Sequence, residues 1–302
     1  MNLFFLLYFL WIMVQFNKIY NEDNLLTCKR IPDNFVDMIL CSPPYDSLRN
    51  YNGYTFNFED LSKELTRILK PGGVLVWVVG DSTINGSESG TSFRQALYFK
   101  DVCGLNIWDT MIYEKNSSSF PARQTSKRYS QIFEYMFIFT KGKIREDITL
   151  LCDKPNKWCG HTNWGKLTSY TKNGKNENTG KIKPVPEFSV RNNIWKYTTS
   201  CEKDKTGHPA IFPEQLAIDH ILSWSREGDI IYDPFMGSGT TAKACVLTNR
   251  KYIGSEISKE YYDIILERLN CVEKYDGKVS YVREKKEKKE DDDLQINENS
   301  LF

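Results

Sequence analysis

Two short stretches carry residue types that could do chemistry on an amine and on a nucleoside. The first is Ser42-Pro43-Pro44-Tyr45, directly behind the apolar run Val36 to Leu40. The lone pair of an exocyclic amine is conjugated into its ring. An enzyme acting on it needs acceptors that take both N–H groups and push the nitrogen toward tetrahedral geometry. The Ser42 hydroxyl and the Pro43 carbonyl could be those acceptors, the proline ring having fixed the turn. Tyr45 would offer a flat face to a base turned out of a duplex. A polyproline ligand is the weaker reading, because these residues end an apolar strand rather than lie in a Pro-rich linker.

The second stretch is Asp233-Pro234-Phe235-Met236-Gly237-Ser238-Gly239-Thr240-Thr241, which follows apolar Ile230 to Tyr232 and opens a helix. Its glycines let backbone pass close to a ligand at a helix N-terminus, and such a turn suits a carboxylate or a phosphate equally. Glu256 lies seventeen residues beyond Gly239, just after Tyr252-Ile253-Gly254-Ser255. An acidic side chain at a strand end can accept from both ribose hydroxyls, so the pair points to a nucleoside cofactor. A tight turn with a surface Glu is the plain alternative. A third Gly-rich stretch, starting at Gly86, superficially resembles a phosphate loop but lacks the Lys that would reach a phosphate, which discounts a nucleotide triphosphatase.

The elements that must position these residues alternate as in an α/β sheet. Phe16 to Tyr20 reads as a strand, Val36 to Leu40 as a second, and Phe58 to Leu69 as a helix with Leu61, Leu65, Ile68 and Leu69 on one face. Pro71-Gly72-Gly73 stops that helix before the buried strand Val74 to Val79. Ser92 to Gly104 reads as a helix, and Asn106 to Tyr113 with Gln131 to Phe139 as an antiparallel hairpin. From Lys141 to about Tyr197 the periodicity collapses into Lys, Asn, Gly, Thr and Trp. Helices at Phe212 to Trp224, Thr240 to Leu247 and Tyr261 to Leu269 then alternate with short strands at Ile230 to Tyr232 and Tyr252 to Ile253.

At 302 residues the chain has room for one α/β domain with an insertion. The boundaries expected are an apolar extension (1–15), a catalytic half (16–145), a variable segment (146–197), a cofactor half (198–275) and a charged tail (276–302). Net charge is +1, so any nucleic-acid signal must be local. It falls in residues 111–205, with 18 Lys and Arg against nine Asp and Glu. Lys127, Arg128, Lys141, Lys143 and Arg145 are the candidate phosphate contacts, a solvated Lys-rich loop being the alternative. The eight cysteines have no C-x-x-C spacing and read as reduced thiols of a cytoplasmic protein. Cys152, Cys159, His161 and Cys201 fit no common zinc pattern, so no metal is expected. The apolar run Leu3 to Val14 is shorter than the ~20 residues of a membrane span and has no preceding Lys or Arg, so no membrane partner is expected and Met13 is a candidate start.

Ser-Pro-Pro-Tyr together with Asp-Pro-Phe-Met-Gly-Ser-Gly-Thr-Thr closely resembles the amino-methyltransferases of DNA, the N4-cytosine and N6-adenine enzymes of restriction-modification systems and phages. The catalytic motif comes before the cofactor loop, as in the permuted beta class of that family. Tyr20-Asn-Glu-Asp, Leu69-Lys-Pro-Gly-Gly, Phe133-Glu-Tyr-Met-Phe-Ile-Phe-Thr-Lys and His208-Pro-Ala-Ile-Phe-Pro-Glu match as well, so that the resemblance spans about residues 17 to 270.

The resemblance implies a Rossmann-like, seven-stranded, mostly parallel sheet with one antiparallel hairpin, circularly permuted, with 146–197 inserted as the target-recognition segment. S-adenosylmethionine is the implied cofactor. Asp23 would contact its adenine or amino group, Phe235 would pack against it, the turn from Gly237 to Gly239, with Asp233 and Thr240, would face its methionine part, and Glu256 would bind the ribose. Pro209, Phe212 and Pro213 would begin the helix that closes the methionine pocket, with His208 nearby in a cofactor-binding or purely capping role. His161 and His220 carry no expected function. Double-stranded DNA is the implied partner, while a cognate restriction endonuclease and a homodimer stay open.

A sulfonium is already an activated methyl donor, so positioning and relief of conjugation suffice and no covalent enzyme intermediate is needed. Cytosine-C5 enzymes, by contrast, require a Cys in a Pro-Cys motif, and no Pro-Cys pair occurs here. In the family, Ser before Pro-Pro-Tyr leans toward cytosine N4 and Asp toward adenine N6. The competing class is a catalytically silent DNA-binding module on the same scaffold. RNA or protein-amide methylation fits less well, because relatives of that kind typically carry Asn at the Ser42 position.

Overall fold

The computed structural model describes residues 14–44, 56–116, 127–162, 168–170, 176–178, 184–198 and 213–273. Tyr45, Cys201, His208, Pro209, Phe212, the extension before Val14 and the tail beyond Glu273 lie outside them. In chain order the elements are β1 (Lys18–Tyr20), α1 (Asn24–Arg30), β2 (Val36–Cys41), α2 (Phe58–Ile68), β3 (Leu69–Val79), β4 (Thr83–Ile84), β5 (Ser87–Glu88), α3 (Thr91–Asp101), β6 (Asn106–Lys115) and β7 (Phe133–Thr140). There follow β8 (Lys154–Pro155), β9 (Thr168–Tyr170), β10 (Asn176–Asn178), β11 (Phe188–Ser189), β12 (Ile194–Tyr197), α4 (Glu214–Trp224), β13 (Ile230–Asp233), α5 (Thr240–Leu247), β14 (Lys251–Ser255) and α6 (Lys259–Glu273).

One sheet organises the chain, in the order β1-β14-β13-β2-β3-β7-β6-β12. Every neighbouring pair is parallel except those made by β7, which runs antiparallel to β3 and β6. The sheet is the mixed, mostly parallel one that the motifs imply, with one strand beyond the seven. The additional strand is β12, which pairs with β6 from Ile194–Ile112 to Tyr197–Lys115. It comes from the segment whose periodicity had collapsed, because four residues are too few to display alternation.

Strand residues divide by parity between two cores. Met38, Leu40, Val74, Val76, Val78 and Ile231 pack with Leu216, Ala242 and Ile265 from α4, α5 and α6. On the other face, Ile39, Cys41, Leu75, Trp77 and Tyr232 pack with Cys28, Leu61, Leu65 and Phe99 from α1, α2 and α3. The central strands β2 and β13 are buried along their whole length, as a strand covered by helices on both faces must be. Asn57 caps α2, its Oδ1 accepting from Asp60 N at 3.2 Å, and Glu59 and Asp60 complement the helix dipole. The helix then passes without a loop into β3, which continues through Pro71-Gly72-Gly73.

Candidate active site

The connections place the crevice. From β2 the chain crosses through α2 to β3 on one side, and from β13 it crosses through α5 to β14 on the other. The strand order therefore reverses between β2 and β13, and a ligand site lies beyond their carboxyl ends at such a point. The two motifs leave those two ends. Tyr232 is in register with Ile39, so Pro234-Phe235 and Ser42-Pro43 depart side by side. Ser42 and Pro44 are half-buried and Pro43 is buried.

The turn after β13 is held from inside. Asp233 is buried, and its carboxylate accepts from Phe235 N at 2.9 Å and from the Thr241 hydroxyl at 2.6 Å. Gly239 is the N-cap of α5 in the left-handed conformation at φ 83°, and a Cβ there would meet Ile265 Cγ2 at 2.7 Å. No side chain of the N-cap residue caps this helix, which starts at the carboxyl-end side of β13 where the crevice lies.

Glu256, at the end of β14, is also buried. Its carboxylate accepts from Gly237 N at 2.8 Å and from Ser258 N at 2.9 Å, one on each oxygen, and keeps acceptor capacity for a ligand hydroxyl. Asn21 donates to the Glu256 carbonyl at 2.8 Å and Glu256 N donates to Tyr20 O, locking the ends of β1 and β14 together. Asp23 follows two residues after Asn21 at this same end of the sheet. Its Oδ1 accepts from Leu25 N at 2.8 Å as the N-cap of α1. Phe235 is half-buried and meets Phe56 edge-on at 4.8 Å. A carboxylate with spare acceptors, an uncapped helix N-terminus and an aromatic shelf together fit a nucleoside bearing an amino-acid tail.

Electrostatics at this end are set by burial. Desolvation raises the Asp233 carboxyl to about 7, against the stabilising bonds from Thr241 and Phe235 N, with Glu256 adding repulsion. Burial likewise raises Glu256, opposed by the N–H groups of Ser258, Gly237 and Ile257. Burial, with Asp233 nearby, also pushes the Cys41 thiol well up, so the cysteine beside the Ser-Pro-Pro turn stays protonated and un-nucleophilic. The Asp233 shift has a pH signature. Between pH 4 and 7 the unfolded chain has released this proton while the folded chain still holds it, so rising pH favours unfolding until both are ionised. Asp233→Asn keeps the Phe235 bond through Oδ1 and can donate to Thr241. Urea melts across that window should show the variant gaining on the unsubstituted chain as pH rises, by on the order of a few kcal/mol, and level above pH 7.

Of the five candidate phosphate contacts, only Lys127 and Arg128 share the Ser42 edge. Because β7 runs antiparallel, Lys141, Lys143 and Arg145 emerge at the opposite end of the sheet, near Asp37 and roughly 17 Å of extended chain from Ser42. Their charges are met within the chain. Lys141 Nζ donates to the carbonyls of Thr66 and Leu69 at 2.8 and 2.9 Å, a cation closing a helix C-terminus, and burial lowers its pKa. Lys143 pairs with Glu146 at 2.8 Å. Arg145 bridges Asp147, Asp229 and Asp37 at 2.6, 2.9 and 3.3 Å. Asp37 keeps Lys70 at 2.7 Å and Ile230 N at 3.0 Å, and Asp229 keeps Arg226 N at 2.8 Å, so Arg145→Ala should cost only about 1 kcal/mol of stability in denaturant melts and leave the salt slope of DNA binding unchanged.

Residue patterns missed other parts of the site. Thr241 was legible in the Gly-Thr-Thr run and Asn21 sits beside Asp23, but nothing in sequence marks Phe56 as a neighbour of Phe235. His220, buried between Trp195 and Met136 with Trp224 Nε1 donating to its Nδ1 at 3.2 Å, is driven down to about 3 by burial and stays neutral. Among the described residues no cluster of His, Cys, Asp or Glu side chains is placed to hold a metal, and no helix is long and apolar enough to cross a membrane.

With the two motifs on either side of one crevice, the chain can be compared with known proteins. A family model of N6/N4-type DNA methylases matches residues 36–267. The chain belongs to this family. It is 58% identical over 246 residues to the orphan methyltransferase M.BamHII of Bacillus amyloliquefaciens, covering 80% of this chain and 91% of that protein. It is also 28% identical over 268 residues to the DNA adenine methyltransferase YhdJ of Escherichia coli (strain K12), at 85% and 84% coverage. Its fold resembles the cytosine-N4-specific PvuII DNA methyltransferase with a TM-score of 0.62 at 19% identity, covering 86% of this chain and 92% of that one. It also resembles the M1.HpyAVI–SAM complex with a TM-score of 0.55 at 23% identity, at 84% and 98% coverage. As a member of this family the chain is an S-adenosylmethionine-dependent DNA methyltransferase that acts on an exocyclic amino group.

Proposed function

We propose that the amino group methylated is N4 of cytosine, with N6 of adenine as the alternative. The observation that carries the reading is Ser42 at the carboxyl end of β2, level with the Phe235 end of the cofactor turn. A hydroxyl there accepts one amine N–H, the Pro43 carbonyl accepts the other, and Tyr45 stacks on the extruded ring. An Asp would add a second carboxylate next to buried Asp233, whereas Ser adds none. Among relatives and neighbours the PvuII enzyme is named cytosine-N4-specific and YhdJ is named for adenine, so their names divide between the two bases, and the cytosine reading rests on Ser42.

The cofactor, when bound, supplies the methyl group on a positively charged sulfur. Glu256 and Asp23 hold its nucleoside, the Gly237–Gly239 turn and the N-terminus of α5 hold its amino-acid end, and Phe235 packs against it. Ser42 and Pro43 localise the amine lone pair toward that methyl and take the N–H groups as their acidity rises. Nothing in this sequence of roles requires an enzyme nucleophile. The segment 146–197 reads the DNA site, Lys127 and Arg128 contact the phosphates, and the chain acts as a monomer or homodimer. The 58% identical relative is named an orphan methyltransferase, which favours action without a cognate restriction endonuclease.

Nucleoside mass spectrometry on DNA from cells expressing the chain tests the assignment. N4-methylcytosine is the expected product, with the site read by single-molecule sequencing. N6-methyladenine as the sole new nucleoside would overturn the cytosine assignment and leave the class intact.

A further inference from the structure

We propose that the β4–β5 hairpin is a wedge that enters the DNA stack beside the extruded base, with Ile84, next to its turn, as the apolar element. The inference rests on the reading that this chain methylates a base flipped out of duplex DNA.

Position comes first. Cys41 is in register with Trp77, so Ser42 lies level with Val78 on the adjacent strand, about 4.8 Å away. Two residues later the chain leaves β3 at Gly80-Asp81 and forms the hairpin, which projects beyond the edge where the Ser-Pro-Pro turn sits. A duplex presenting a base to Ser42 must pass over this projection.

The hairpin is held stiffly. Asp81 is buried and accepts from Ser92 N and from the Ser89 hydroxyl, each at 3.0 Å, and from the Ser92 hydroxyl. Ser89 N donates to Ser82 O at 2.8 Å, closing the base of the hairpin. Asn85 and Gly86 have φ of 49° and 77°, the two positive values of a type I′ turn, whose twist matches a two-residue hairpin. Arg94 donates to Ser89 O at 2.7 Å and Arg128 donates to Gly86 O, so one cation braces its base and another its turn.

Against this framework Ile84 is anomalous. It is 51% exposed at the position flanking the turn, in the otherwise polar run Thr83-Ile84-Asn85-Gly86-Ser87-Glu88. A lone exposed Ile is ordinary on a protein surface. Beside the turn of a braced projection, with Arg128 on the adjacent Gly86 carbonyl and Arg94 at the hairpin's base, an Ile has the chemistry of a stack-opening wedge. A β-branched side chain is stiff, its apolar surface replaces lost base stacking, and flanking cations hold the phosphates on either side.

The test uses the full chain and two duplexes carrying the site found by sequencing, one fully paired and one with an abasic site opposite the target base, which removes the pairing cost of flipping. Ile84→Ala should lower kcat/KM on the paired duplex by about tenfold or more, while Ile84→Leu stays near the unsubstituted chain. On the abasic duplex Ile84→Ala should come within about twofold of the unsubstituted chain, with cofactor affinity by calorimetry unchanged. Equal losses on both duplexes, or no loss on either, would overturn the wedge. Failure of the unsubstituted chain to methylate either duplex would instead remove the parent reading, and the wedge with it.

Discussion

Gly237→Asp abolishes S-adenosylmethionine binding in the expected outcome, with no heat of binding in calorimetry at ligand concentrations about a hundred times the Kd of the unsubstituted chain. Gly237 N donates to Glu256 at 2.8 Å, so its Cα stands next to the carboxylate assigned to the ribose. A second carboxylate there repels Glu256, whose ionisation burial already opposes, and occupies the space where backbone approaches the ligand. Asp tolerates the left-handed φ of 55° at this position, so the fold should survive. Thermal melts without cofactor should differ by only a few degrees, which separates a lost site from a lost structure. Gly237→Ala, which adds bulk without charge, should weaken binding less. Equal affinity for the Asp variant and the unsubstituted chain would remove this turn from the cofactor site.

Ser42→Ala produces the second large effect, on turnover alone. The hydroxyl is one of two acceptors proposed to strip conjugation from the target amine, and that bond strengthens as the N–H groups become acidic in the transition state. Losing an acceptor of this kind should lower kcat by roughly 10²-fold or more while KM for cofactor hardly moves. Tyr45→Ala should behave differently, weakening capture of the flipped base by about 1 to 3 kcal/mol along with turnover. In both variants DNA with a mispaired target should bind more tightly than paired DNA, because a mismatch lowers the cost of flipping. Full methylation by Ser42→Ala would move the amine-orienting role elsewhere.

Much of the site is legible in the chain because it is built from strand ends. An apolar run followed by Ser-Pro-Pro, and another followed by Asp-Pro-Phe and two glycines, read best as buried parallel strands delivering loops to one edge of a sheet. The residue types then point to amine acceptors on one side and a nucleoside on the other. Glu256 follows from the same rule, standing at the end of the next strand.

Partner choice across the sheet is what the residues alone withhold. Charge composition groups Lys141, Lys143 and Arg145 with Lys127 and Arg128, yet eight residues of antiparallel β7 carry the first three to the far end of the sheet, where carbonyls and carboxylates take up their charge. Strand direction is a property of pairing, which no local pattern states. Likewise Ile194–Tyr197 becomes a strand only because β6 offers an open edge. The sequence by itself determined the two loops and, through the motifs they carry, the family, because local backbone geometry demands those residue identities. Only the tertiary structure decided that Lys141 and Arg145 spend their charge at the far end of the sheet, that Asp233 is buried far enough to hold its proton to about pH 7, and that Ile84 is exposed on a hairpin that follows the strand beside Ser42, since each depends on contacts between segments distant along the chain.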